Sequence, residues 1–157
     1  MIVFKKENLK RLNLAALKIE DLVVISALCQ DSIIKVSNIK WAKKSRRFNL
    51  LLTRLCWEEN SSSKEKKTNF NRVNSILSFD SVLSVKTKGI DQSRSNLITS
   101  LLTVSYHSLS FDKQFIDLIF SGDAQITLHI ECIDALLKDI SEPFESSSLN
   151  LPNHENF

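Results

Sequence analysis

The sequence predicts an α+β domain built on an antiparallel meander of about seven strands, with one helix before the strands and one C-terminal helix. Short apolar runs recur along the chain between polar connections, which is typical of strands. Two other segments place apolar residues at helical spacing. Strands joined by short loops pair antiparallel, because a parallel crossover needs about a dozen residues or more.

The N-terminal part is predicted to hold one strand and the first helix. The strand falls within residues 12–17 and the helix within 20–30. Glu20 and Asp21 suit a first helical turn, because carboxylates there oppose the helix dipole. The apolar residues of this helix cover much of its surface, so we expect it to be well buried. They are Leu22, Val24, Ile25, Leu28 and Cys29.

The middle of the chain is predicted to form the sheet. The strands are expected at 33–36, 39–42, 47–55, 73–85, 97–106, 115–120 and 125–130. Asp80 and Ser81 interrupt the apolar pattern of the long fourth run and indicate a bulge or bend. The last two runs form a hairpin, since Gly122 supplies a turn between them and residues 125–130 alternate polar and apolar at period two.

The C-terminal helix is predicted directly after the hairpin. Ile133, Leu136, Leu137 and Ile140 have helical spacing, and Glu131 and Asp134 would stabilise the exposed N–H groups of its first turn. With this helix, the order of elements is that of a pleckstrin-homology-like barrel, a fold-level analogy that carries no function.

The length and composition favour one soluble domain over residues 1–157. Of the 157 residues, 43% are hydrophobic and 25% charged, which is ordinary for a globular protein. Residues 58–71 are polar and predict a mobile surface loop, and residues 141–157 predict an irregular tail. No apolar run approaches the roughly 20 residues of a membrane span, and residues 1–6 lack a signal-peptide core. We therefore expect a cytoplasmic protein with no membrane partner.

The residue types exclude several enzyme classes. The two glycines, Gly89 and Gly122, are too few for a phosphate-binding loop of the dinucleotide or Walker type. Motifs of serine hydrolases and zinc proteases are also absent from the sequence. Cys29, Cys56 and Cys132 lack zinc-site spacing and lie in apolar segments, which predicts buried reduced thiols. We expect no metal and no cofactor.

A basic turn is the best candidate for a ligand site. Trp41 and Phe48 enclose the cations Lys43, Lys44, Arg46 and Arg47, at a predicted hairpin end. Cations there could contact phosphates and an exposed Trp41 could stack on a base. The same residues also suit an ordinary hairpin with its aromatics in the core. The charge is uneven on a larger scale too, at +7 from residue 35 to 67 and −7 from 112 to the end.

The chain resembles an uncharacterised bacterial family, domain of unknown function 2948, from about Leu9 to His154. The matching residues are Glu20-Asp21-Leu22, Ile25-Ser26-Ala27, Gln30-Asp31, Arg47-Phe48, Thr53-Arg54, Trp57-Glu58, Phe79, Val82-Leu83, Val85-Lys86, Phe120-Ser121-Gly122, Ile130-Glu131-Cys132-Ile133, Leu137, Asp139 and Pro152-Asn153-His154. The chain departs from the family pattern at Leu55, Thr127 and Phe144. Because the family has no established activity, the resemblance implies no mechanism.

Three hypotheses for function follow. The first is a non-enzymatic domain that binds another protein, or a second copy of itself, through a sheet face or an exposed sheet edge. The second is a small enzyme whose site is assembled by folding from dispersed carboxylates and histidines. Its candidates are Asp31, Arg54, Glu58, His107, Glu131 and His154. The third is phosphate or nucleic-acid binding through the basic turn, residues 43–47. A concave pocket where the enzyme candidates converge would favour the second hypothesis.

Overall fold

The computed structural model describes residues 11–57 and 69–147, which form one antiparallel sheet and one α-helix. The helix is α1 (Ile19–Cys29). The strands are β1 (Asn13–Ala16), β2 (Ser32–Lys35), β3 (Ile39–Ala42), β4 (Arg47–Leu55), β5 (Asn69–Phe79), β6 (Val82–Lys88), β7 (Ile98–Ser110), β8 (Lys113–Phe120), β9 (Ala124–Ile130), β10 (Ala135–Asp139) and β11 (Phe144–Ser147).

The sheet brings distant parts of the chain together. Nine strands follow one another in the order β1-β10-β5-β4-β2-β7-β8-β9-β6, while β11 also pairs with β5 and β3 also pairs with β4. The β7-β8-β9 run consists of neighbours along the chain, whereas β10 lies between β1 and β5. The predicted meander is therefore wrong as a description of the whole sheet.

The core lies on the inner face of the sheet, under α1. Strands β8 and β9 alternate between buried and half-buried positions, as period-two patterning requires. Leu22, Ile25 and Cys29 form the buried side of α1. The helix packs on β7, β1 and β4. Ser26 fixes it to β7, because its hydroxyl accepts a 2.9 Å hydrogen bond from the Val104 N–H.

The predicted C-terminal helix is wrong, since residues 135–139 form strand β10. Ala135, Leu137 and Asp139 are buried, and the two residues between them are exposed. Pairing with β1 on one side and β5 on the other satisfies the backbone of this strand. Glu131 and Asp134 consequently have no helix to cap, and the element order of a pleckstrin-homology-like barrel is not present.

The predicted number of strands is also wrong, because the described residues form eleven. The predicted strand 73–85 is two strands that separate at Asp80 and Ser81, the latter with φ 58°. Before this break β5 pairs with β4, and after it β6 pairs with β9. Residues 144–147 of the predicted tail form β11, and the rest of that tail lies outside the described residues. Residues 58–68 of the predicted mobile loop also lie outside them, and residues 69–71 belong to β5.

Among the described residues, no helix is both long and apolar enough to cross a membrane.

Candidate functional site

The basic turn is a short 3-10 turn, Lys43–Ser45, between β3 and β4. Arg46 follows it in the left-handed conformation, with φ 56°. The Arg46 guanidinium donates a 2.7 Å hydrogen bond to Glu131, and that of Arg47 donates one of 2.7 Å to Asp80. The hydrogen bond and charge of Asp80 raise the pKa of Arg47 above its ordinary value. Both arginines are therefore already paired with carboxylates.

The two lysines of the turn differ from the arginines. Lys43 and Lys44 are exposed, and no carboxylate of the described residues lies within ion-pair distance of either amine. Trp41 is half-buried and packs against the core. The five predicted site residues thus lie on the turn and the strand ends beside it. Neither lysine amine has a carboxylate partner among the described residues, and the indole is partly accessible.

Arg54, one of the enzyme candidates, belongs to a buried ion pair. Its Nε and Nη2 donate to Asp139 Oδ1 and Oδ2 at 3.0 and 2.9 Å, and neither side chain is exposed. Ser75 donates a further 2.6 Å hydrogen bond to Asp139, and the Leu12 N–H donates one of 2.7 Å. This network joins β4, β5 and β10 beneath the surface. The sequence does not predict Asp139 as a partner of Arg54, because Asp139 falls in the predicted C-terminal helix.

The other described enzyme candidates lie on separate elements. Asp31 is buried after α1, in the left-handed region with φ 63°. His107 lies on β7, with its Nδ1 3.0 Å from Asp117 Oδ2. Glu131 lies after β9, in its pair with Arg46. His107 and Glu131 are thus held by different charged partners, while Asp31 and Arg54 are buried. Glu58 and His154 lie outside the described residues.

The three cysteines differ in exposure. Cys29 and Cys56 are buried, as predicted, but Cys132 is exposed, so the predicted burial of this thiol is wrong. Burial raises the pKa of the Cys29 thiol to about 12, with the Arg54 charge acting in the opposite direction. Cys29 is therefore a neutral thiol near the Arg54–Asp139 pair and not a nucleophile.

The outer face of α1 is apolar and exposed, which the sequence analysis missed. Ile19, Val23 and Ala27 recur every four residues and form a stripe along the helix. Val23 is 62% exposed, Val24 beside it 52%, and Leu17 just before the helix 66%. The sequence does indicate this exposed face, because two valines at consecutive positions of a helix cannot both face one core. We call these five residues the α1 face.

Strand β1 lies at one end of the sheet and contacts α1. Its only neighbour among the described strands is β10. Such an edge offers backbone N–H and C=O groups to another strand.

Comparison with known proteins identifies a family but no activity. The model of the family described as protein of unknown function (DUF2948) matches residues 12–154, and the chain belongs to that family. No curated protein and no solved structure matches the chain.

Proposed function

We propose that this protein is a non-enzymatic association domain of the cytoplasm that pairs with a second copy of itself through the α1 face. The observation that carries the proposal is the exposed apolar stripe of Ile19, Val23 and Ala27, with Leu17 and Val24 beside it. Exposed apolar residues that form a contiguous patch, unlike isolated ones, mark interaction sites. Cys29 and Cys132, which form no disulfide with a described residue, are consistent with a reducing compartment.

An antiparallel pairing of two α1 helices about Val23 is self-complementary. It would place Ile19 of each copy opposite Ala27 of the other, so that the same patch serves both subunits. The residues from Val24 to Gln30 carry no charge, so they would not repel Glu20 and Asp21 of the other copy.

The cation at the helix start also favours this arrangement. Lys18 precedes α1, and no basic residue lies in the last turn of the helix. In the antiparallel pair, Lys18 of one copy would approach the C-terminal carbonyls of the other helix, where a cation is stabilised.

Cross-linking tests the geometry of this pair. In a Cys132→Ser background, Val23→Cys should give a covalent dimer with a short bis-maleimide reagent, since the two introduced thiols would meet at the crossing point. Cys29 and Cys56 are buried and should not react. Phe144→Cys is the control, because Phe144 is 42% exposed and lies on β11, which pairs with β5 and is not one of the strands on which α1 packs.

The two variants give opposite outcomes. The proposal predicts a dimer from Val23→Cys and only modified monomer from Phe144→Cys. Equal cross-linking of both variants, or none with Val23→Cys at high protein concentration, would contradict pairing through the α1 face.

A second candidate function is weak phosphate or nucleic-acid binding through the basic turn. It is supported by Lys43 and Lys44, which are exposed and have no carboxylate partner in the part of the chain that the structure describes. Arg46 and Arg47 would have to leave Glu131 and Asp80 before they contacted a phosphate. Two available cations would supply only a small share of the counterion release on which such binding depends.

A further inference from the structure

A cleft of about 440 Å³ lies between β3 and β6, and no residue of the α1 face lines it. Its two banks are formed by Ile39 and Trp41 of β3 and by Val85 and Thr87 of β6. Its volume falls within the range of roughly 300–1,000 Å³ that is usual for small-molecule sites. We call it the Trp41 cleft.

Backbone hydrogen bonds fix the cleft at both ends. At one end the Val82 N–H donates to the Arg46 carbonyl at 3.0 Å, which ties the start of β6 to the basic turn. At the other end the Ser37 N–H donates to the Ser95 carbonyl at 3.1 Å. Between these ties, β3 pairs with β4 and β6 pairs with β9, so the two banks stand apart. The cleft is therefore a consequence of the way the strands pair in the sheet.

The floor of the cleft is apolar. Phe48 and Ile126, both almost completely buried, lie at its base, and Trp41 contributes its half-buried indole. A ligand body that removes such a surface from water gains about 25 cal/mol for each Å² of apolar area covered. An apolar or aromatic group thus suits the floor.

The rim is polar and carries positive charge. Ser37, Thr87, Gln92 and Ser95 supply hydroxyl and amide groups, Lys40 supplies a cation, and the lining contains no carboxylate. Lys43 and Lys44 follow the end of β3, and neither has a carboxylate partner among the residues described. Lys86 and Lys88 alternate with Val85 and Thr87 along β6 and therefore lie on its opposite face. Asp91, beyond the far bank, is engaged with Ser93, whose hydrogen bonds lower the pKa of its carboxyl.

We propose that the Trp41 cleft binds a small organic anion, with an apolar body against Trp41 and Phe48 and a single carboxylate or phosphate group at the rim beside Lys40. The apolar floor and the rim of hydroxyl groups and lysines complement the two ends of such a molecule. A cationic ligand would find no counter-charge in this lining, which contains Lys40 and no carboxylate. This binding does not depend on pairing through the α1 face.

A set of probes with one tail and different head groups tests the proposal. Octanoate, octyl phosphate, octan-1-ol and octylamine are titrated separately into the full chain, and two-dimensional NMR follows the indole N–H signals of both tryptophans. Trp57 is an internal control, because its indole N–H is 3.1 Å from the Gln30 carbonyl and it does not line the cleft.

The expected order of affinity is an anion first, the alcohol next and the amine last. The better of the two anions should bind at least about tenfold more tightly than the alcohol, and whichever it is identifies the head group preferred. The Trp41 signal should shift and that of Trp57 should not. Added salt should weaken binding of the anions but not of octan-1-ol.

Two variants and a control locate the binding. Lys40→Glu should reduce the affinity for the anions to that for the alcohol and leave the alcohol unchanged. Thr87→Phe should weaken all four probes, because an exposed residue is replaced by a ring that fills the cleft. Lys138→Glu makes the same charge reversal on β10, a strand that contributes nothing to the cleft. It should change neither the affinity for the anions nor that for the alcohol.

Equal affinities for all four probes, no shift of the Trp41 signal, or equal effects of Lys40→Glu and Lys138→Glu would overturn the proposal.

Discussion

Arg54 and Asp139 form a two-point ion pair inside the protein, with donor–acceptor distances of 3.0 and 2.9 Å and no exposed side-chain surface on either residue. The pair connects β4 to β10, strands that are separated by β5 in the sheet. Ser75 of β5 donates to the same carboxylate, so three adjacent strands share one polar network. The contact is structural, since its groups are closed off from solvent.

Breaking this pair should destabilise the fold strongly. Arg54→Met leaves the Asp139 carboxylate buried without its counter-charge, which costs on the order of 3–5 kcal/mol of unfolding free energy. The double variant Arg54→Met/Asp139→Leu should recover part of that loss, because it removes both charges. Urea denaturation of the single and double variants measures the difference. A loss below about 1 kcal/mol in Arg54→Met, the value of a surface pair, would show that the interior is open to water.

Cys29 should make stability depend on alkaline pH. Its thiol has a pKa of about 12 in the folded chain against an ordinary value of 9.0, because burial disfavours the thiolate. Since the folded value is the higher one, this contribution is complete below pH 9.0 and is lost as pH rises towards 12. The loss is at most about 1.4 kcal/mol for each pH unit.

Comparison with Cys29→Ala isolates this contribution from other titrating groups. The variant should be less stable at neutral pH, but its stability should fall less steeply between pH 9.0 and 12. Denaturation at a series of pH values, at constant ionic strength, gives both slopes. Parallel slopes for the two proteins would mean that Cys29 ionises as easily when folded as when unfolded.

Binding of oligonucleotides through the basic turn should be weak. With Arg46 and Arg47 paired, Lys43 and Lys44 supply about two phosphate contacts, which predicts a log–log salt slope near −1.8 on duplex DNA. Fluorescence anisotropy at two salt concentrations should give a dissociation constant no tighter than about 10⁻⁴ M. Reversal of both lysines to Glu should abolish the salt dependence and leave the melting temperature nearly unchanged. Tight binding with a steep slope would instead require the arginines to exchange partners.

The sequence predicts the parts of the fold whose contacts are local. The β8–β9 hairpin was predicted correctly, because both strands and the turn at Gly122 lie within a few residues of one another. Helix α1 was found for the same reason. The sequence does not predict strand β10, because its partners β1 and β5 come from far earlier in the chain. Its apolar residues have helical spacing in the sequence, and only pairing with these two strands makes buried and exposed side chains alternate along it. Asp139 also favoured the wrong prediction, because a carboxylate is expected at the surface unless a partner such as Arg54 is known to lie beside it.

The candidate sites were predictable to a smaller extent. The sequence predicts that the basic turn lies between two strands, but it could not show that Glu131 and Asp80 reach Arg46 and Arg47 from distant parts of the chain. Trp41 was selected as a ligand residue for its place beside the turn. Its cleft depends on β6 and on residues 90–95, which only the sheet order brings opposite β3.

Molar mass as a function of concentration tests the central claim, that the α1 face joins two copies of this chain. Light scattering after size exclusion, from about 1 µM to about 100 µM, should show the wild type rising from its monomer mass of 17.9 kDa towards twice that value. Val23→Glu should remain a monomer with unchanged melting, because Val23 is exposed and its replacement would bury a charge only in the pair. Phe144→Glu, on β11, should behave as the wild type. A constant mass of 17.9 kDa for the wild type over this range, or a dimer that Val23→Glu leaves intact, would contradict the account.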